Sequence, residues 1–387
     1  MTSFGTPLLA FLVFGAMLLR PLEVTADEYP QDTNKIESFT AEEATQLVAA
    51  FGGNDLSLNG LTTLDADTAK AIAEFKGQGL TLNGLTTLDA DTAKALAEFK
   101  GDALALNRLT TLAAGTAKSL AGFKGRAVFL EGLTTLDAHS AKAIAEFKGL
   151  YLILNGLVTL DAATSKSLAE FKGVSLDLNR LAKLDADTAR ALAEFKGLGL
   201  ALDGLTTLDA HAAKALAEFE GRSLLLNGLT TLDADTAKAL AKCKGSELWL
   251  NGLTTLDLDT AKALAEFEGL LFVSDKAKDS LFTNNPFTAA TALVWAGVSN
   301  GQLTGITAFE SRDSVAVAKA LATRKGPRVI PNLKKLSPKT LSALIKKEDI
   351  EIPLIETLEL IPEPDGSPTE AFVLPEAFQK KQQRQRR

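Results

Sequence analysis

The stretch Leu80 to Gly101, LTLNGLTTLDADTAKALAEFKG, recurs with its two spacer residues nine times, at an unvarying step of 24 residues. The copies begin at Leu56, Leu80, Leu104, Val128, Leu152, Leu176, Leu200, Leu224 and Leu248, and run without a gap from Leu56 to Leu271. No other feature constrains the fold as strongly. A unit this small cannot bury its apolar face alone, so stability has to come from stacking on its neighbours. The period predicts one elongated solenoid, where 387 residues of ordinary sequence would suggest two or three compact domains.

Each unit has two halves. Leu80 and Leu82 alternate with Thr81, the pattern of a short strand with one buried face. Asn83 and Gly84 then turn the chain. Arg108 and Arg180 replace that glycine in two copies, so the turn does not demand a left-handed backbone. In LDADTAKALAEFKG, Asp89 is a natural N-cap and Asp91 lies where the helix dipole favours negative charge. Lys100 and Gly101 read as a cationic last turn and a C′ glycine. Leu88, Ala93, Leu96 and Phe99 fall at helical spacing and should face inward. The Phe99 column reads Phe at every copy except Cys243, which predicts a buried aromatic spine.

This LxLxxLxxL unit followed by a short helix resembles the leucine-rich repeat in its bacterial, secreted variants. It departs from the commonest pattern: Asn83 directly follows the second strand leucine, and Leu85 occupies the usual Asn position. It is closer to the variant with a following Ala and Phe found in spirochaete-type surface proteins. Together with the C-terminal PNLKKLSPKTLSALIKKEDIEIPLIETLELIPEPDG, the whole also resembles a group of exported planctomycete repeat proteins. The resemblance implies an α/β leucine-rich-repeat-type solenoid, with parallel strands on the concave face and short helices on the convex face.

The remaining chain divides around the repeats. Residues 1–26 read as a signal peptide: Pro7 to Leu19 is apolar, and Val24, Thr25 and Ala26 form a cleavage site before Asp27. That apolar run is too short to span a bilayer, and no later one is long enough, so the expectation is an exported chain (secreted, periplasmic or cell-surface) without a transmembrane span. Residues 27–55 form an N-terminal cap, with a capping box over Thr40 to Glu43 and Phe51 standing 24 residues before Phe75. Residues 272–361 read as degenerate repeats and a C-terminal cap. They hold helices from Thr288 and from Ser337 and Pro338, and a last strand at Ile350 to Ile352. Residues 362–387 read as an extended, disordered tail with a basic end.

Charge and chemistry narrow the function. The net charge is −7; the last eight residues carry five positive charges, leaving −12 on the rest. An acidic body without a basic stripe argues against nucleic-acid binding. The two histidines, His139 and His211, lie three repeats apart on the helix surface, about 14 Å at strand spacing, and cannot share a metal. Cys243 replaces a spine Phe and should be buried and inert. The LDAD acids are explained as caps, and no calcium loop, nucleophile elbow or phosphate loop is present. No catalytic residue, metal or cofactor is assigned, and an enzyme would need a site in the irregular stretch Phe272 to Gly301.

What varies between copies lies on the strands. If each leucine pair points inward, the residue between points outward: Ser57, Thr81, Ala105, Phe129, Ile153, Asp177, Ala201, Leu225 and Trp249. Two places earlier the outward position adds Tyr151 and Glu247. Two places later it is Asn or an acid in every copy, Glu131 among them. Phe129, Tyr151 and Ile153 would lie on adjacent strands about 5 Å apart, an exposed apolar patch bordered by Asn and Glu. The ligand-binding candidates are therefore Phe129, Glu131, Tyr151, Ile153, Asp177, Leu225 and Trp249. On this reading the chain is an exported, non-enzymatic module that recognises a protein or glycan through its concave face. The alternative is a structural or adhesive envelope protein working by self-association or as a spacer, with the strand face unselected or in contact with a neighbouring chain.

Overall fold

The computed structural model describes residues 32–385, except 285–287, 301, 304–305, 324–327, 348 and 369–373. The expected signal peptide and its cleavage site lie outside the described residues. Ten short strands pair in chain order in one parallel sheet. They are β1 (Asp55–Ser57), β2 (Gly79–Thr81), β3 (Ala103–Ala105), β4 (Ala127–Phe129), β5 (Tyr151–Ile153), β6 (Ser175–Asp177), β7 (Gly199–Ala201), β8 (Ser223–Leu225), β9 (Glu247–Leu250) and β10 (Leu270–Val273). Helices of seven or eight residues, from Ala66–Ala73 to Leu258–Leu264, alternate with them. From β1 to β9 each residue pairs with its equivalent in the next copy, as Leu80 does with Leu104. The fold is an α/β solenoid of the leucine-rich-repeat type.

The core lies between sheet and helices. Leu80, Leu82, Leu85, Ala93, Leu96 and Phe99 and their equivalents are buried. The predicted spine is a stack: from Phe75 to Phe219, neighbouring rings lie 6.0–6.4 Å apart and within 8° of parallel. Strands in a sheet lie about 4.8 Å apart. In a regular superhelix the step between equivalent points grows with distance from its axis. The rings therefore lie on the outside of the curve and the sheet on the inside, which makes the strand face concave.

Local chemistry sets each helix in place. Asp89 accepts hydrogen bonds from the backbone N–H groups of Asp91 and Thr92, both at 2.9 Å. These bonds lower its pKa below the ordinary aspartate value, as they do for the capping Asp65, Asp137, Asp161, Asp185 and Asp257. Ala113 replaces the cap in one copy and makes no such bond. In five copies the buried threonine of the first turn also ties the helix to the preceding copy, as where Thr116 Oγ1 donates to Leu88 O at 3.1 Å. Gly101 departs from the expected C′ role. Among the described residues only Asn300 and Gly366 have a left-handed backbone. A Cβ on Gly101 would stand 2.2 Å from the Phe99 ring and 2.6 Å from Gln78 O. The glycine makes room for the spine.

Both ends of the sheet are closed by side chains. At the N-terminal end, Thr33 Oγ1 donates to Ser57 O at 2.5 Å and Asn34 Oδ1 accepts from the Asn59 side chain at 2.8 Å. The adjoining helix Ala41–Ala50 carries the predicted capping box, and Phe51 meets Phe75 edge-on at 5.7 Å. At the other end the Asn300 amide accepts from Leu271 N at 2.9 Å and donates to Leu271 O. One side chain thus satisfies both backbone groups of Leu271 on the last strand, a device that protects an open edge.

Beyond β10 the alternation continues with uneven steps. Helices Asp275–Asn284, Ala289–Val298, Ser314–Thr323 and Pro338–Leu344 are joined by β11 (Ala308–Phe309), β12 (Arg328–Val329), β13 (Lys335–Leu336), β14 (Ile350–Glu351) and β15 (Glu359–Leu360). These form two small parallel sheets, β11–β13–β15 and β12–β14, in place of one. Ile350 and Glu351 are therefore not the last strand. The expected extended tail is also corrected, because Glu376–Gln385 is a helix. Phe378 is buried on the cap, and four residues on Gln382 accepts from Ile355 N at 2.8 Å. Among the described residues no helix is long and apolar enough to cross a membrane.

Candidate functional site on the concave sheet face

The first and third residues of each strand point away from the core onto the concave face. There the structure gathers a second apolar cluster, separate from the core. Ala103, Ala127 and Ile153 are buried in it, with Phe129 and Tyr151 half-buried against them. Phe129, Tyr151 and Ile153 do cluster on this face, but the cluster is less exposed than expected. Ile153 is only 6% exposed and Leu225 only 9%, because parallel register flanks each with side chains of the same column. Phe129 and Tyr151 form the accessible surface, and Ile153 supports them.

A second aromatic feature lies on the last strands. Trp249 stacks on Phe272 with ring centres 3.8 Å apart and planes within 14°. Glu247, expected to face outward, is 2% exposed. It accepts from Arg222 Nε at 2.7 Å and Ser223 Oγ at 2.5 Å, and Trp249 Nε1 lies 3.5 Å away. Its carboxylate braces the Trp side chain. Phe272 is a residue that the 24-residue period conceals, because β10 pairs with β9 at a step of 23. The signal was the alternation of Leu271 and Val273, matching Leu248 and Leu250.

The column of Asn residues proves to be a ladder. Asn83 N donates to Asn59 Oδ1 at 2.9 Å, Asn107 N to Asn83 Oδ1 at 2.8 Å, and Asn251 N to Asn227 Oδ1 at 3.0 Å. Asp203 fits the ladder because only an acceptor is required, and its Oδ1 receives Asn227 N at 2.8 Å. Glu131 does not fit. Its side chain is one methylene longer, and instead of receiving the Asn155 backbone N–H it accepts from Asn155 Nδ2 at 3.3 Å. So this border is largely structural, and Glu131 is its exception.

Between the two aromatic features lies a pair of acids, Asp177 and Asp203. Burial raises the Asp177 pKa above the ordinary aspartate value, opposed by a 2.5 Å bond from Ser175 Oγ and reinforced by repulsion from Asp203 and Glu131. Burial likewise raises Asp203, against the Asn227 bonds. On the other side of the strands, just before each begins, three consecutive copies carry Leu150, Val174 and Leu198. Flanking copies have Gln78, Asp102, Arg126, Arg222 and Ser246 there. Leu150 and Val174 are half-buried and Leu198 is 52% exposed. This rim was not singled out from sequence, although the run of three apolar residues in one column was readable.

The other candidates stand apart from this face. Cys243 is buried in the spine, and burial pushes its thiol pKa up. His139 and His211 are exposed in first turns of their helices, with backbone N–H groups bound to capping Asp137 and Asp209.

No family model matches the sequence, and no curated protein matches it. Solved structures with similar architecture include a leucine-rich repeat-containing protein of Legionella pneumophila. It is 17% identical, with a TM-score of 0.44 over 66% of this chain and 94% of that one. An internalin of Listeria monocytogenes is 14% identical, with a TM-score of 0.33 over 63% of this chain and 91% of that one. The leucine-rich-repeat ectodomain of a receptor kinase of Arabidopsis thaliana is 12% identical, with a TM-score of 0.37 over 80% of this chain and 39% of that one.

Proposed function

We propose that this chain is an exported, non-enzymatic binding module that recognises a protein or glycan partner through its concave sheet face. The observation that carries the reading is the cluster of Phe129, Tyr151 and Ile153, an apolar assembly on the face opposite the core. Nothing in the solenoid's own packing requires it, since Thr81 and Ala105 occupy the Phe129 column in neighbouring strands of the same backbone. Large aromatic side chains held on a rigid scaffold lose little entropy on contact and are the usual anchors of recognition. Trp249 and Phe272 provide a second anchor.

Changing Phe129, Tyr151 and Trp249 together to Ser tests the reading. Capture of partners from the exported fraction should be lost while the circular dichroism spectrum of the solenoid persists. Capture unchanged by the triple substitution would sink it. Growth of the solenoid by strand addition is disfavoured by the side chains of Thr33, Asn34 and Asn300 that occupy both sheet ends.

A further inference from the structure

The concave face is chemically divided along the strands only in the middle copies. One residue before the strand starts runs an apolar rim, Leu150, Val174 and Leu198, the first of them next to Tyr151 in the chain. At the strand ends lie Glu131, Asp177 and Asp203. On three consecutive strands about 5 Å apart, the rim extends for roughly 10 Å. The hydrogen-bond partners of the three acids are neutral: the Asn155 amide, the Ser175 hydroxyl and the Asn227 backbone N–H. Asp177 is repelled by the other two.

Each acid also replaces a residue that would serve the fold better. Glu131 interrupts the ladder, Asp203 stands where Asn would carry the same bond without charge, and Asp177 occupies a column otherwise uncharged. Positions that work against local structure are where function is expected. Carboxylates on one face whose hydrogen-bond partners are all neutral lack a complement that a ligand can supply.

We infer that the middle copies bind a polypeptide segment lying along the strands, with an aliphatic or aromatic side chain against Tyr151 and the adjoining rim, and lysine or arginine side chains at the separate acids Glu131, Asp177 and Asp203. This rests on the sheet-face reading above and names the chemistry of the partner. The apolar rim supplies the contact area. The acids select a cation and fix the direction of the segment.

Selection of a random-sequence peptide display library on the purified chain tests it, using two variants. The first, Glu131→Gln with Asp177→Asn and Asp203→Asn, removes charge but keeps every acceptor, so the ladder and the Ser175 bond survive. The second is Tyr151→Ser with Leu198→Ser. Thermal melts followed by circular dichroism confirm that both fold. The inference expects enriched peptides with Lys or Arg near an apolar residue, binding that weakens with added salt, and a loss of about tenfold or more on the first variant. Peptides without basic residues that ignore the first variant and are lost on the second would overturn the inference and leave the sheet-face reading standing. Peptides indifferent to both variants would contradict both. Failure to enrich any peptide overturns the inference, and the capture experiment then decides the broader reading alone. A concentration-dependent dimer abolished by the second variant would show that a second copy occupies the face, and would overturn the inference too.

Discussion

The phenylalanine column and the outward strand column run through the same copies, and they vary in opposite ways. On the spine, Phe75 to Phe219 hold one residue type, stacked nearly parallel and fully buried. On the concave face, Thr81, Ala105, Phe129, Ile153 and Asp177 occupy successive positions of one register. The difference is steric. A spine ring touches the rings before and after it and the glycine two residues on, so its size is set from three sides. A concave side chain is limited only by its flanking strands. Uniformity therefore marks packing here, and variation marks the surface free to take on a task.

The contrast can be broken most easily by exchanging losses between the two columns. Phe147→Ala, at the middle of the stack, should cost about 3–5 kcal/mol in urea unfolding, because it opens a cavity that neighbouring copies cannot close. Tyr151→Ser, on the half-buried face, should cost about 1–2 kcal/mol. If Tyr151→Ser proves the more damaging, the division between scaffold and surface is wrong. Next in size are the caps. Asp89→Ala should lose about 1 kcal/mol, and Ala113→Asp should gain a similar amount by supplying the one missing cap.

The ladder gives a smaller but sharper test. Glu131→Asn should stabilise the solenoid by about 0.5–1.5 kcal/mol by restoring the bond to Asn155 N. It should also weaken binding at the face, and a variant that gains stability without losing binding would remove Glu131 from the site.

The smallest expected effect is the pH profile. The six capping aspartates have lowered pKa values through backbone N–H bonds. Their contribution is complete above the unfolded value of about 4 and is lost as pH falls through the lower folded values. Asp177 and Asp203 are raised by burial and work in reverse: they cost stability at neutral pH, and that cost is relieved as pH falls through their raised values towards about 4. Thermal melts should show a slight rise in stability on mild acidification before the acid loss. Asp177→Asn with Asp203→Asn should erase the rise alone.

The architecture was legible from sequence because a strict period reports stacking directly. The same period hid what breaks it. Phe272 escaped because β10 pairs at a step of 23. Asn300 escaped because its role is to end the pattern, from 29 residues away. The terminal helix escaped because its composition is that of a solvated tail, and the contacts that hold it down, from Phe378, Lys381 and Gln382, are scattered single side chains. At the site, Phe129, Tyr151 and Trp249 were readable as outliers in columns. Burial of Ile153, Leu225 and Glu247 was not, since it depends on which large side chains stand on adjacent strands. The ladder was obscured because its Asn lies next to the strand leucine, not where the commoner repeat places it.

Radical footprinting of the chain, free and saturated with captured partner or selected peptide, tests the central claim most directly. Tyr151 and Leu198 on the middle copies should lose reactivity on binding, while Val158, exposed in the loop beyond the Asn ladder, should keep it. Protection confined to the helix side, with Tyr151 and Leu198 as reactive as in the free chain, would contradict the account.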